Sequence, residues 1–291
     1  MIIAHNIVGG LGNQLFQIFA TIAYGMEHGR RIIFTYDDYT RSGLNRPTYW
    51  TNLLKYLQIF TTAFPNNKMT NQELVKLPKI MDDTCHNYVE LKQSSFDAVQ
   101  LFGYFQSPKY FEKYLDKILN LIHFSEIREE VLQENNYFFT DKSDTIYISM
   151  HFRIGDYKAI QHCHPIMKYD YYETALKRMV TELECQQNSL KVLYFYESQD
   201  TLDVKNIIDP LSNEFANIEF IPVGTGLEDW KQMILMTGCH HHIIANSTFS
   251  WWGAYLNPSA SKIVYYPSVW FGPNLKHLRT DHLFPVDWIK N

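Results

Sequence analysis

The chain has 291 residues, 46% of them hydrophobic and 20% charged, which excludes wholesale disorder and suffices for one large or two ordinary domains. A formal charge of −5, from 26 basic and 31 acidic residues, excludes a broad nucleic-acid or anionic-membrane surface but leaves room for a small basic pocket that takes one phosphorylated ligand. Aromatic residues reach 15%, with 20 Tyr and 19 Phe, and such rings serve cores first and stack on sugars or bases second.

No apolar run approaches the roughly 18 residues of a membrane span. The opening MIIAHNIVGG has no basic region, long apolar stretch or small-residue cleavage site. A soluble, cytoplasmic protein without an integral membrane segment is expected. Cys85, Cys163, Cys185 and Cys239 are scattered with no CxxC spacing, so reduced and mostly buried thiols are expected rather than a disulfide framework.

Residues 2–8 are apolar and β-prone, and a GGLGN loop follows. Leu15, Ile18, Phe19, Ile22 and Met26 then recur at helical spacing, with Asn13 expected as the cap and Gly29 as the end. Ile32 to Tyr36 reads as a second strand, so the chain opens β–Gly loop–α–β. Residues 37–100 are poorly patterned, with turn chemistry at Asn45-Arg46-Pro47 and Pro65-Asn66-Asn67. Helical segments are expected near 50–60 and 108–135.

The second half is better patterned. Thr145 to Phe152 alternates, with Ile146, Ile148 and Met150 on one face, and Tyr171 to Gln186 is an amphipathic helix through Tyr172, Leu176, Met179 and Leu183. Further strands are expected at 191–197, 218–223, 241–245 and 262–266, with helices at 201–209, 228–239 and 249–256. Strands alternating with helices of 10–15 residues indicate βαβ units and a parallel sheet. The division into 1–140 and 141–291 is placed in the polar stretch around Thr140-Asp141-Lys142-Ser143.

Three motifs carry candidate chemistry. In GGLGNQLFQ, Gly9 to Gln17, the glycines let backbone approach a ligand and the helix start offers free N–H groups, which suits an anion or a sugar hydroxyl. The dinucleotide fingerprint fails, because Leu15 stands where a third Gly is needed, and no Lys-Ser/Thr follows for a P-loop. A tight βα turn without a ligand reads the same spacing equally well.

HFRIGDY, His151 to Tyr157, sits at the carboxyl end of a strand, where parallel sheets bind ligands. Arg153 there matches a diphosphate, Gly155 allows a turn, and Asp156 either orients Arg153 or acts as a base. The plainer alternative is an Arg153–Asp156 surface pair. In ANSTFSWWGAYLNP, Ala245 to Pro258, four polar side chains (Asn246, Ser247, Thr248 and Ser250) crowd a helix start. Capping needs one or two of them; four suggest hydrogen-bond donors to phosphate or ribose. Trp251 and Trp252 are assigned to packing. The runs His162-Cys163-His164 and His240-His241-His242 lack metal-ligand spacing and read as buried, hydrogen-bonded histidines.

Together with GYFQSPKYF at Gly103 to Phe111, these motifs occur in an order in which the chain resembles the α-1,2-fucosyltransferases of glycosyltransferase family 11, over nearly its whole length. The resemblance implies an α/β, GT-B-like fold, two Rossmann-like domains facing a cleft, with the nucleotide in the C-terminal half and the acceptor on the N-terminal side. It implies transfer of L-fucose from GDP-fucose as co-substrate to a hydroxyl, with O2 of a terminal β-galactose expected, by inversion and with no metal or other cofactor.

By position, Arg153 would hold the donor diphosphate, with His151 beside the nucleotide. Ser247, Thr248 and Ser250, with Asn246, would bind phosphate or ribose. Gly10, Gly12, Asn13 and Gln14 would face the donor from the N-terminal domain, and Asp229 would recognise guanine. Two departures stand out: Ile154 replaces the family's usual second Arg, and Tyr196-Glu197-Ser198-Gln199-Asp200 replaces a Ser-Asp-Asp strand end. They keep two other readings open: a same-fold transferase with another nucleotide sugar, and a non-catalytic glycan- or nucleotide-binding relative.

Overall fold

The structure is a computed structural model that describes residues 1–40, 45–82, 87–140, 145–183, 189–224 and 226–291. Its chain forms two compact units, Met1–Ile127 with Leu278–Pro285, and Arg128–His277 with Val286–Asn291. The division expected near 140 lies next to residues 141–144, which are outside the described residues, and the units instead part at Ile127. The physical reason is that the chain just after Ile127 packs on the second unit: Arg128 donates to the Thr237 hydroxyl and carbonyl at 2.9 Å each.

In the first unit β1 (Ile2–His5) leads through the Gly loop into α1 (Leu11–Glu27) and β2 (Arg31–Phe34). α2 (Asn71–Leu74), β3 (Lys79–Met81), β4 (Ala98–Phe102), α3 (Leu115–Leu121) and the start of α4 (Phe124–Glu134) follow. The sheet order is β2-β1-β4-β3 and every pairing is parallel. α1 is buried nearly all round, which explains its rich apolar spacing: between Leu11 and Gly25 only Asn13 keeps appreciable exposure. The cap of α1 is Gly10, not Asn13 as expected, because Asn13 already lies within the first turn. The chain does leave α1 at Gly29, whose φ of +59° favours glycine.

The second unit holds β5 (Thr145–His151), α5 (Tyr169–Leu183), β6 (Ser189–Phe195), α6 (Thr201–Glu214) and β7 (Glu219–Pro222). Beyond these come α7 (Asp229–Met236), β8 (His241–Ile243), α8 (Thr248–Tyr255), β9 (Val264–Tyr266) and β10 (Ile289–Lys290). All pairings are again parallel, in the order β10-β9-β8-β5-β6-β7. Numbered within the unit, that is 6-5-4-1-2-3, the doubly wound order whose ligands bind where the winding reverses, outside the carboxyl ends of strands 1 and 4.

The core of this unit joins Ile146, Ile148 and Met150 of β5 to Leu176 and Met179 of α5 and to Val192 and Ile208. Tyr147, Ser149 and His151, on the other face of β5, are buried as well, as expected of a central parallel strand covered on both sides. Trp251 and Trp252 are fully buried and pack edge to face at 5.1 Å, in the packing role assigned to them. Cys163 and Cys239 are free thiols; Cys85 and Cys185 lie outside the described residues. No helix among the described residues is long and apolar enough to cross a membrane.

Candidate active site

In the second unit, β5 and β8 are neighbours at the reversal point, and the two flagged segments leave their carboxyl ends. Arg153, 18% exposed at its side chain, lies two residues past β5. One terminal nitrogen donates to Asp156 at 2.5 Å and the other to Glu197. Its guanidinium carbon stands 5.0 Å from the ring centre of Tyr157. Burial by itself lowers the guanidinium pKa, but Tyr157, Glu197 and Asp156 raise it above the ordinary arginine value, so the cation is permanent.

Arg153 and Asp156 do pair, as the plainer alternative holds, but as part of a larger cluster. Tyr157 donates from its hydroxyl to the Asn246 carbonyl at 3.2 Å and stacks on His164, with ring centres 4.9 Å apart. The β5 and β8 motifs therefore meet through the Tyr157 hydroxyl on the Asn246 carbonyl and through the rings of His151 and Phe249, with centres 5.3 Å apart.

The turn after Arg153 is fixed from β6. Gly155, at φ +22°, donates its N–H to Asp200 at 2.7 Å, and Lys158 donates to the other Asp200 oxygen at 2.9 Å and to Asp203 at 2.8 Å. Asp200 is 1% exposed, a buried carboxylate satisfied on both oxygens. Sequence reasoning left the acids of 196–200 unplaced. One signal could have placed Glu197: His151 pairs in register with Phe195, so Arg153 and Glu197 stand at the same offset beyond two adjacent parallel strands.

His151 is buried at the end of β5, and burial first, Arg153's charge second, push its pKa down to about 3. It is a neutral imidazole at physiological pH. Its Nδ1 is buried with no hydrogen-bond partner, as are Asn246 Oδ1 and Gln14 Oε1. Such orphaned atoms cost about 1–3 kcal/mol each and call for a ligand or water.

The polar cluster at α8 divides by role. Asn246 spends its amide hydrogens on the carbonyls of Pro165 and Trp270, at 2.9 and 3.2 Å, so it has none left for a phosphate and braces the loop instead. Ser247 caps α8 by accepting from the Phe249 N–H at 3.3 Å, and Ser250 donates to the Ser247 carbonyl at 3.3 Å. Thr248, half-buried, is the first residue of α8. Asp229 opens α7, between edge strand β7 and β8, and accepts from the Trp230 N–H at 2.7 Å.

In the first unit the Gly loop is organised by amides. Gly9 takes φ +81°, and a Cβ on Gly10 would meet nothing within 4 Å. Gly12 is buried in the first turn of α1. Gln14 donates to the carbonyls of Gly9 and Pro47 at 2.8 Å each, and so ties the loop down. Asn13 Oδ1 accepts from Gln106 at 2.7 Å, which joins the Gly loop to the GYFQSPKYF motif; Gln106 was not singled out from the sequence.

The histidine run is structural. His240 and His241 accept backbone N–H groups from Tyr147 and Ile263, and His242 bonds Ser149 at 2.7 Å and Asn257 at 2.8 Å. Among the described residues no group of three or more His, Cys, Asp or Glu side chains forms a candidate metal site.

The family model described as Glycosyl transferase family 11 matches residues 47–290, which include the β5 and β8 motifs but not the Gly loop. The O-antigen biosynthesis glycosyltransferase WbnK of Escherichia coli is 29% identical, over 92% of this chain and 94% of its own. The alpha-1,2-colitosyltransferase of Escherichia coli is 25% identical, over 99% of this chain and 98% of its own. Among solved structures, the E. coli ADP-heptose lps heptosyltransferase II aligns with a TM-score of 0.51 at 10% identity, covering 100% of this chain and 90% of that one. Fucosyltransferase NodZ from Bradyrhizobium aligns with a TM-score of 0.50 at 13% identity, covering 87% and 90%. At such identities these likenesses speak for the fold alone, and the fold is α/β of the GT-B type.

Proposed function

The chain belongs to glycosyl transferase family 11, and from that premise we propose that it moves L-fucose from GDP-fucose to a glycan hydroxyl, O2 of a terminal β-galactose, with inversion. Glycosyl transfer itself follows from the family. The observation that carries the donor assignment is the meeting, through Tyr157, of the Arg153 turn with the segment leading into α8 at the reversal point of a doubly wound sheet, where nucleotides bind. The α-1,2 linkage and the fucose-like sugar draw support from the relative named as an alpha-1,2-colitosyltransferase.

In this reading the acceptor oxygen bonds to the anomeric carbon as the bond from that carbon to the diphosphate oxygen breaks. The acceptor's hydroxyl proton passes to solvent late in the same step. Negative charge gathers on the departing diphosphate and is met by Arg153, the N–H groups opening α8 and the Ser247 and Thr248 hydroxyls. His151, neutral, presents its unpaired Nδ1 beside the nucleotide. Asp156, with one oxygen on Arg153, serves as a positioning residue; unchanged turnover in Asp156→Asn would exclude it as the base. Arg153 and the α8 donors do the work a metal does elsewhere, so turnover should persist in EDTA.

The second reading changes only the donor sugar. The relative's colitose favours it. The test is an assay of GDP- and UDP-sugars, nucleotide-activated colitose included, against an acceptor array, with linkage determined on the product. A fucosyl-α-1,2-galactose product confirms the first reading. Transfer only from another nucleotide sugar replaces it with the second.

A further inference from the structure

Each terminal nitrogen of Arg153 already meets a carboxylate. Asp156 holds one and Glu197 the other, so the cation assigned to the diphosphate is already engaged by two carboxylates. A diphosphate that reaches this guanidinium meets two carboxylates already beside it, and the like-charge repulsion is relieved if one of them moves off. The two are not equivalent. Asp156 lies on the turn that Asp200 anchors through Gly155 and Lys158, three residues from Arg153, and its side chain is the less exposed. Glu197 follows β6, is 39% exposed, and already has a second partner, since its other oxygen accepts from Gln199 Nε2. Its longer side chain can swing away and keep a hydrogen bond.

We propose that Glu197 is the resident counter-ion of Arg153, seated where the donor diphosphate binds and displaced by it. This rests on the donor-binding role given to Arg153 above. Glu197 is a positioning residue: it keeps the buried guanidinium paired while the site is free of nucleotide, and it gives way when a better anion arrives. Removing its charge must then tighten nucleotide binding, whereas a merely structural strut would weaken binding when cut.

The experiment is calorimetric titration of the full chain with GDP, UDP, ADP and dTDP, on wild type, Glu197→Gln, Glu197→Ala and Arg153→Lys, with circular dichroism confirming the fold. For the best-bound nucleotide, Glu197→Gln should lower Kd by about tenfold, the scale of losing one close charge competitor. Glu197→Ala should move it the same way, and either variant suffices if the other fails to fold. In turnover assays the donor KM should fall in the same proportion, more than kcat changes. Arg153→Lys should weaken binding. Unchanged or weaker binding in the folded Glu197 variants overturns the counter-ion exchange and leaves the functional reading intact. Failure of wild type to bind any nucleoside diphosphate overturns both.

Discussion

Asp200 offers a sharp test of how the turn behind Arg153 is held. Its two oxygens take the Gly155 N–H at 2.7 Å and the Lys158 ammonium at 2.9 Å, at 1% exposure. Asparagine in its place has one oxygen, so one of those donors loses its acceptor. Lys158 is 45% exposed and retains Asp203 at 2.8 Å, so the amide oxygen should stay with Gly155, with the charge assistance gone. A hydrogen bond to a charged group contributes about 1.5–3 kcal/mol against about 1 for a neutral one, which puts Asp200→Asn at about 1–2 kcal/mol. Asp200→Ala also strands the Gly155 N–H and should cost about 3 kcal/mol. Lys158→Met removes a solvent-screened partner and should leave stability close to wild type. Urea unfolding gives the three values. Because the same turn carries Asp156 and Tyr157, which both grip Arg153, the donor KM should rise about tenfold in Asp200→Asn if roughly 1.4 kcal/mol of positioning is lost. Wild-type stability in Asp200→Ala would refute the anchoring. A destabilised Asp200→Asn with wild-type donor KM and kcat would refute its link to Arg153.

Arg153→Lys should keep the fold but lose about 100- to 1,000-fold in kcat, because a point charge cannot replace the planar fork; wild-type turnover would discard the assignment. Gly253→Ala would put a methyl 2.7 Å from Met236 Sδ, between α7 and α8, and should cost about 1–3 kcal/mol in urea unfolding. Acid should destabilise the protein through His5 and His151, both held to about 3 chiefly by burial. Between the free-histidine pKa of about 6.5 and pH 3 the unfolded chain binds more protons, so stability falls with falling pH, by about 1.4 kcal/mol per pH unit per histidine. A urea midpoint that stays flat from pH 7 to 5 would contradict this.

What was legible in the sequence tracks the strength of its periodicity. Tyr172, Leu176, Met179 and Leu183 announced α5 and all four are buried on it. β3, β4 and β10 were not foreseen. β10 has two residues, β3 is an edge strand with little burial, and β4 carries Gln100, 1% exposed, inside its apolar run. In the site, His151, Arg153 and Ser247 were recognisable as residue types at strand and helix ends. Glu197, Asp200 and Gln106 were not, because their partners are set by register across the β5–β6 pair and by a loop returning to the Gly turn, neither of which local spacing encodes. The donor role read into Asn246 failed to foresee that Pro165 and Trp270 would take its amide hydrogens.

Position 154 limits how much positive charge the site can offer. Ile154 is 4% exposed and belongs to the apolar cluster with Phe152, Tyr172 and Val192. A guanidinium placed there would sit in hydrocarbon, at a cost of several kcal/mol without a partner. The backbone of this chain therefore gives a second arginine no useful direction at 154, and its loss is not the removal of a working cation. Around Arg153 and Lys158 stand Asp156, Glu197, Asp200 and Asp203, so the two cations of this cluster face four carboxylates. Lys158 is committed to the two acids at the start of α6 and steadies the turn. On the donor-binding role proposed for Arg153, the net charge that meets a diphosphate is set by whether Arg153 keeps or sheds Glu197, and the rest of the stabilisation falls to neutral donors at the start of α8. With Glu197 yielding to the donor as proposed, charge at this site is governed by exchange between anions on one guanidinium, and a single carboxylate, two residues past β6, then controls nucleotide affinity without touching the sugar.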